Sequence, residues 1–190
     1  MKNLVGREVP DYIEGYGKVK PFEGAFANYG IREKAGVKIK SVKPGENKVL
    51  NSIDEVLDKI TLKDGMTVSF HHHLRNGDFV LNNVIYALAK RGIKDITVAA
   101  SSIFPIHEPL VEHMKNGVVT QIIADYISGP VAEAISKGYS KKPSIMMTHG
   151  GRPRAIESGD LHIDAAFIGA PTADTYRDGT VIDVVRKVIS

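Results

Sequence analysis

From Ser52 onward, apolar and polar positions fall into blocks that predict strands and helices in alternation. Ser52-Ile-Asp-Glu55 is a capping box, in which the serine oxygen and the glutamate carboxylate satisfy free backbone N–H groups, and it opens a short helix through Ile60. Lys63-Asp-Gly65 turns the chain into a strand over Met66–Phe70. A polar stretch, His71–Gly77, leads to a helix over Asp78–Arg91 with Phe79, Val80, Val84 and Leu88 on one face, and Gly92 ends it. The cycle repeats with a strand over Ile96–Ala100, polar Ser101-Ser102, a helix over Pro109–Lys115 and then Gly117. A strand over Val118–Ile123 leads through Ser128-Gly129 to a helix over Pro130–Lys137, where Pro130 suits the first helical position because its missing N–H would be unpaired anyway. A strand over Ser144–Thr148 precedes a long polar loop, and Ile163–Ile168 is the last clear strand.

Strands separated by helices of this length imply right-handed crossovers. The predicted fold class is therefore α/β, an open, mainly parallel sheet with βα repeats. In such a sheet every loop that follows a strand lies at one edge. The segments His71–Gly77, Ser101-Ser102, Ser128-Gly129 and His149–Asp160 should therefore converge. Arg91-Gly92, Asn116-Gly117 and Lys137–Lys142, at the other edge, read as plain solvated connectors.

Residues 1–48 are different. Glycines at 6, 15, 17, 24, 30, 36 and 45 break any period, and Pro10, Pro21 and Pro44 add bends, which predicts an irregular arm. Tyr12, Tyr16, Phe22, Phe26 and Tyr29 lie in it, and large aromatic surfaces seek burial, so the arm is expected to pack on its own body or on a partner. The formal charge of +3 is also placed here, with ten Lys/Arg against six Asp/Glu, whereas the remainder holds fifteen against sixteen. A nearly neutral body argues against a nucleic-acid surface, which needs a concentrated basic face. No apolar run reaches the roughly 18 residues of a spanning helix, and Met1–Pro10 is too polar for a signal peptide. The chain has no cysteine, which removes disulfides, thiolate catalysis and cysteine-ligated zinc, and a cytoplasmic setting is expected.

Two predicted loops carry candidate chemistry. His71-His-His-Leu-Arg-Asn-Gly-Asp78 joins a strand to a helix start, whose free N–H groups and partial positive charge suit an anion, and Asn76-Gly77 permits a tight turn. It has neither P-loop nor G-x-G-x-x-G spacing. Three adjacent histidines on extended backbone point alternately to opposite faces, so no metal site is assigned. In His149-Gly-Gly-Arg-Pro-Arg-Ala-Ile-Glu-Ser-Gly-Asp160, Gly150-Gly151 allows close backbone approach, and Arg152 and Arg154 can each grip a carboxylate or phosphate through paired hydrogen bonds. Glu157 and Asp160 could orient the arginines by charge pairing; either could instead act as base or nucleophile. His107 and His113 stand six apart, off a common helical face. His113 reads as surface, and His107 and Glu108, ahead of the helix start, could face the site but read first as capping or loop packing.

Ser69-Phe-His-His-His-Leu-Arg-Asn-Gly-Asp78 and His149-Gly-Gly-Arg-Pro-Arg-Ala-Ile-Glu-Ser-Gly-Asp-Leu-His-Ile-Asp164 resemble the corresponding runs of citrate lyase alpha chains. So do Val5-Gly-Arg-Glu-Val-Pro10, Tyr12–Pro21, Leu62-Lys-Asp-Gly-Met66, His107-Glu-Pro-Leu110 and Gly169-Ala-Pro171, and the likeness covers nearly all of residues 1–176. The resemblance implies a CoA-transferase-like half of the NagB/RpiA/CoA transferase-like kind over residues 49–176, the first half of the family's longer chain, with 177–190 a divergent end. It further implies citrate CoA-transferase activity, in which citrate displaces acetate from an acetyl thioester on the acyl carrier (gamma) subunit and the lyase (beta) subunit cleaves the product. No tightly bound cofactor is implied. The CoA-type thioester on the carrier, phosphoribosyl-dephospho-CoA, enters as a substrate group, and an oligomer without nucleic acid or membrane is expected. Substrate-binding positions under this resemblance are His71, His72, Arg75, Asn76, Gly77, Ser101, Ser102, His149, Gly150, Gly151, Arg152, Arg154 and Asp160. Arg152 and Arg154 would meet citrate; His71, His72 and the Gly150-Gly151 amides would meet the transferred acyl group. The catalytic group stays open between Glu157 and His71, since transfer through a mixed anhydride needs no enzyme nucleophile. The alternative is a truncated, non-catalytic anion-binding or assembly module of the same fold.

Overall fold

The computed structural model describes residues 1–24, 49–71, 74 and 76–169. The later half of the arm, His72, His73, Arg75 and the segment 177–190 lie outside the described residues. Where an irregular arm is predicted, β1 (Tyr12–Ile13) and β2 (Gly17–Lys18) form a small antiparallel hairpin. Its turn lies against the Lys142-Pro143 backbone, so tightly that a Cβ at Gly15 would come within 3.1 Å of Pro143. The described part of the arm thus packs on the body, but not through Tyr12, Tyr16 and Phe22, which are exposed, while Phe26 and Tyr29 lie outside the described residues.

The central sheet contains β3 (Thr67–His71), β4 (Ile96–Ala100), β5 (Val119–Ala124), β6 (Ile145–Met146) and β7 (Ala165–Ile168), in the spatial order β6-β5-β4-β3-β7. Every neighbouring pair is parallel, as the alternation of strands and helices predicts. β4 and β5 are buried along their whole length, which is why they read as continuous apolar runs rather than alternating ones.

α1 (Ile53–Leu57) is shorter than predicted. Ser52 caps it by accepting the Glu55 N–H at 3.1 Å, while the Glu55 carboxylate takes the N–H of Asn51 rather than that of Ser52. α2 (Val80–Lys90), α3 (Leu110–Lys115) and α4 (Pro130–Ser136) cover one face of the sheet. There Val68, Phe70, Val98, Ala100, Ile122 and Ala124 meet Val84, Leu88, Leu110, Met114 and Val131 in the main core. A single 3-10 turn, Pro105–His107, precedes α3.

The other face carries α5 (Gly151–Glu157), in the segment predicted as a long polar loop. The glycine pair and Pro153 argue for a loop, but Pro153 falls in the first helical turn, where no intrahelical partner is lost. Ala155 then buries with Ala99, Ile123 and Leu161 in a second, much smaller core. Among the described residues no helix is long and apolar enough to cross a membrane.

β7 joins the sheet through Asp164, whose carboxylate accepts the Thr67 N–H at 2.8 Å and the Lys63 ammonium at 2.8 Å, while its own N–H bonds to the Thr67 carbonyl. Burial opposes the charge, but Lys63 and the Thr67 N–H prevail and hold this carboxyl below the usual range. A lowered folded pKa contributes stability that is present above the unfolded value and is lost as pH falls through the folded one. Asp164→Ala should therefore lose about 2 kcal/mol at pH 7, with the deficit shrinking as pH drops below the ordinary value of 3.8. Urea titrations of both proteins across pH check this, and a deficit constant down to low pH would contradict it.

Candidate functional site at the strand ends

Register and pleat decide which side chains gather at the carboxyl edge. Phe70 pairs with Ala100 and Ala100 with Ala124, so the residues one step on, His71, Ser101 and Asp125, follow in neighbouring positions. Alternation turns them to the α5 side, opposite the main core. One rung back on that side are Ser69, Ala99 and Ile123. The loops after β4 and β5 stay joined beyond the strands through an Ile103–Ile127 bridge.

β5 and β6 are neighbours whose following segments leave for opposite faces, β5 to α4 and β6 to α5. Such a divergence opens a crevice in a parallel sheet. Asp125 stands at the end of β5 and His149 just after β6, and His149 Nδ1 lies 2.8 Å from Asp125 Oδ2. The carboxylate is 5% exposed and the imidazole 77%.

Arg152 approaches from α5. Its guanidinium is buried, and Nη2 donates to Ser69 Oγ at 2.8 Å and to the Ala99 carbonyl at 3.0 Å. Among the described residues, Arg152 Nη1, Ser101 Oγ and both Asp125 carboxylate oxygens are buried without a hydrogen-bond partner, the His149 Nδ1 approach to Oδ2 being an ion-pair contact. Burial pushes the Asp125 carboxyl above the usual carboxylate range, against the charges of His149, Arg152 and His71. Burial likewise lowers Arg152, with Asp125 opposing. Perturbed groups with unused polar atoms, collected at a crevice, mark a site suited to an anion or to an acid–base step.

The predicted positions divide. His71, Ser101, His149 and Arg152 come together; His72 and Arg75 lie outside the described residues. Arg152, expected in a loop, is held within the fold. Arg154 is exposed and sits 3.5 Å from Asp160, the predicted charge pairing. Glu157 is exposed and lies about 140° around α5 from Arg152 at 100° per residue. Ser102 is half-buried, and Gly150 precedes α5, whose Gly151 N–H is taken by Thr148 Oγ1 at 2.9 Å.

At the first loop one N–H of the predicted free helix start is taken. Asp78 Oδ1 accepts the Val80 N–H at 2.8 Å, so the protein's own carboxylate occupies the beginning of α2. Gly77, at φ 83°, closes a turn behind exposed Asn76, and a Cβ there would press on Ile106 at 3.0 Å and His107 at 3.1 Å. Its role is close packing. A Cβ on Gly169 would collide with the Asp78 carboxylate. His107 is buried; Nδ1 accepts the Phe104 N–H at 3.0 Å and Nε2 meets the Asp78 carbonyl at 3.2 Å, which the neutral Nε2–H tautomer satisfies. Loop packing, as predicted, is its work. His113 is not a surface residue: it is half-buried, and burial lowers its pKa against Glu112.

Asp125 escaped prediction, because a lone aspartate after an apolar strand looks like a turn residue. The signal that could have found it is register: it is the first residue past a fully buried strand, level with His71 and Ser101.

Fold and site together define an open parallel α/β protein with charged and titratable side chains gathered where neighbouring strands send their loops apart. The family model for the citrate lyase alpha subunit (CitF) matches residues 46–178. The citrate lyase alpha chain of Haemophilus influenzae is 47% identical over 131 residues, 69% of this chain and 26% of that protein. That of Klebsiella pneumoniae is 40% identical over 153 residues, 77% of this chain and 30% of that one. A crystal structure of the alpha subunit of citrate lyase from Streptococcus mutans, in complex with citrate, superposes with a TM-score of 0.80 at 47% identity, covering 92% of this chain and 34% of that one. The chain belongs to the citrate lyase alpha subunit family. It spans roughly a quarter to a third of the length of these relatives.

The two arginines should separate cleanly on substitution. Arg152→Ala removes bonds to β3 and β4 and leaves Asp125 without its buried cation, so it should lower stability by about 3 kcal/mol. Arg154→Ala, at an exposed pair, should change stability by less than about 0.5 kcal/mol. Equal losses in denaturant titrations would contradict this placement.

Proposed function

We propose that this chain binds citrate at the crevice and forms the N-terminal part of the citrate CoA-transferase component of citrate lyase, exchanging acetyl for citryl on the thiol of the carrier's CoA-like prosthetic group. The observation that carries this reading is the cluster of His71, His149 and buried Arg152 at diverging strand ends, in a chain 47% identical to a relative solved with citrate. A tricarboxylate and a thioester oxygen both call for fixed cations or N–H donors. Donors aimed at a developing oxyanion lower a barrier by about 3 kcal/mol each.

In the proposed exchange a citrate carboxylate oxygen attacks the acetyl thioester carbonyl, forming a mixed anhydride and releasing the thiolate. The thiolate then attacks the citryl carbonyl, forming the citryl thioester and releasing acetate. No enzyme nucleophile is consumed, consistent with Glu157 standing well around α5 from Arg152. The partners of this reading are the acyl carrier (gamma) and lyase (beta) subunits, with phosphoribosyl-dephospho-CoA on the carrier as the substrate group.

The second reading is a truncated, non-catalytic module of the same fold that binds an anion or assembles with another chain. An exchange assay with labelled acetate, run on the chain alone and with the other lyase subunits, separates the two. The enzyme reading predicts citrate-dependent release of acetate from acetyl carrier in at least the mixture. Citrate binding by calorimetry with no exchange in any mixture would leave the module.

A further inference from the structure

We propose that Asp125 is a positioning residue of this site: it grips Nδ1 of His149 and so presents Nε2 to a carboxylate of the acid ligand. The proposal rests on the citrate reading for its ligand, but its geometry is independent of that reading.

The pair runs from the interior to the surface. Asp125 is anchored at the end of a fully buried strand, and His149 leads out of the sheet to α5. The carboxylate is therefore the fixed member and the imidazole the oriented one. An ionised carboxylate only accepts, so the atom facing it must be Nδ1–H. Nε2 is then the acceptor of a neutral ring or the donor of a protonated one, and a protonated Nε2–H directed at the crevice is a suitable partner for a carboxylate.

His107 provides a comparison within the same fold. Both its nitrogens are used inside the protein, on the Phe104 N–H and the Asp78 carbonyl. His149 uses one nitrogen on the protein and keeps the rest of a largely exposed ring at the crevice. That is the arrangement of a working imidazole rather than of a packed one.

A purely structural role explains Asp125 poorly. Neither of its oxygens has a hydrogen-bond partner among the described residues, Oδ2 meeting His149 Nδ1 as a 2.8 Å ion-pair contact, and burial works against its charge. The charged and titratable groups that face it are His149 after β6, Arg152 on α5 and His71 at the end of β3. Each comes from a different element, so the carboxylate is the point at which these groups converge. For a carboxyl whose folded pKa is raised, stability is present below the unfolded value and is lost as pH rises through the folded one. Replacing it with a neutral isostere should therefore not lower stability at neutral pH.

The test uses the uniformly 15N-labelled chain and its Asp125→Asn variant. Long-range proton–nitrogen spectra, recorded at a pH where imidazoles are neutral, should place the His149 proton on Nδ1 in the original chain and on Nε2 in Asp125→Asn, with His107 remaining Nε2–H in both. The variant should melt no lower than the original at neutral pH and should bind citrate roughly tenfold or more weakly, the loss expected for a misplaced charge-assisted hydrogen bond. His149 already in the Nε2–H form in the original chain would overturn the proposal without any variant. So would an unchanged tautomer or unchanged citrate affinity in Asp125→Asn. If the original chain bound no citrate, the citrate reading would fall, and the tautomer comparison, which needs no ligand, would still decide for or against Asp125.

Discussion

The guanidinium of Arg152 crosses from α5 to the sheet and bonds to Ser69 on β3 and to the Ala99 carbonyl on β4. Much of the site's geometry follows from that reach. The apolar cluster beneath α5 is small, four buried residues against the long inventory of the opposite face. Non-directional burial of that size would hold α5 to the sheet without fixing its rotation or its position along the strands. Two directional hydrogen bonds from a planar fork do fix them. Because Arg152 lies in the first turn of α5, they also limit where His149, three residues earlier, can leave β6. Its 2.8 Å approach to Asp125 is the consequence.

The asymmetry between faces has a sequence origin. On β3, β4 and β5, the residues turned to the main core are Val68, Phe70, Val98, Ala100, Ile122 and Ala124. Those turned to α5 include Thr67, Ser69, Thr97, Ser101, Gln121 and Asp125. A face with hydroxyls and an amide can accept a buried cation, whereas a face of valine and isoleucine would leave it unsolvated. The polar face is thus a condition for placing Arg152 inside the fold, and the apolar face supplies the burial that keeps the sheet intact around it.

The strands and most helices were legible because buried parallel strands make continuous apolar runs and because caps such as Ser52 and Pro130 mark helix starts. What could not be read came from competition between local rules and tertiary context. Gly150-Gly151 and Pro153 signal a loop, yet Ala155 and Leu161 gain burial once the segment is helical. The start of α2 signals an anion site, and Asp78 folds back to take the Val80 N–H there. His107 was legible as packing, but His113 was not legible as half-buried, since its surroundings come from tertiary contacts rather than from its own helix. That His71 and His149 would stand at the same sheet edge followed from topology alone. The carboxylate at their meeting point did not, because register across three strands is needed to bring Asp125 level with His71 and Ser101.

The two edges of the sheet show why the polar groups at one end point to function. At the amino edge, expected to hold plain connectors, Asp95 accepts Lys142 at 2.7 Å and Thr120 at 2.6 Å, and these bonds hold its carboxyl below the usual range. Asp164 behaves in the same way on Lys63 and Thr67. Charge there is matched, and it supports the fold. At the carboxyl edge, Asp125 is pushed up and Arg152 down, and four buried polar atoms lack hydrogen-bond partners among the described residues. Stability alone would favour filling or removing these groups. Two carboxylates that tie strands together at one edge, and one that burial penalises at the other, sit on the same scaffold under the same solvent. The difference between them is that a ligand entering the crevice could complete the second set, and nothing needs to complete the first.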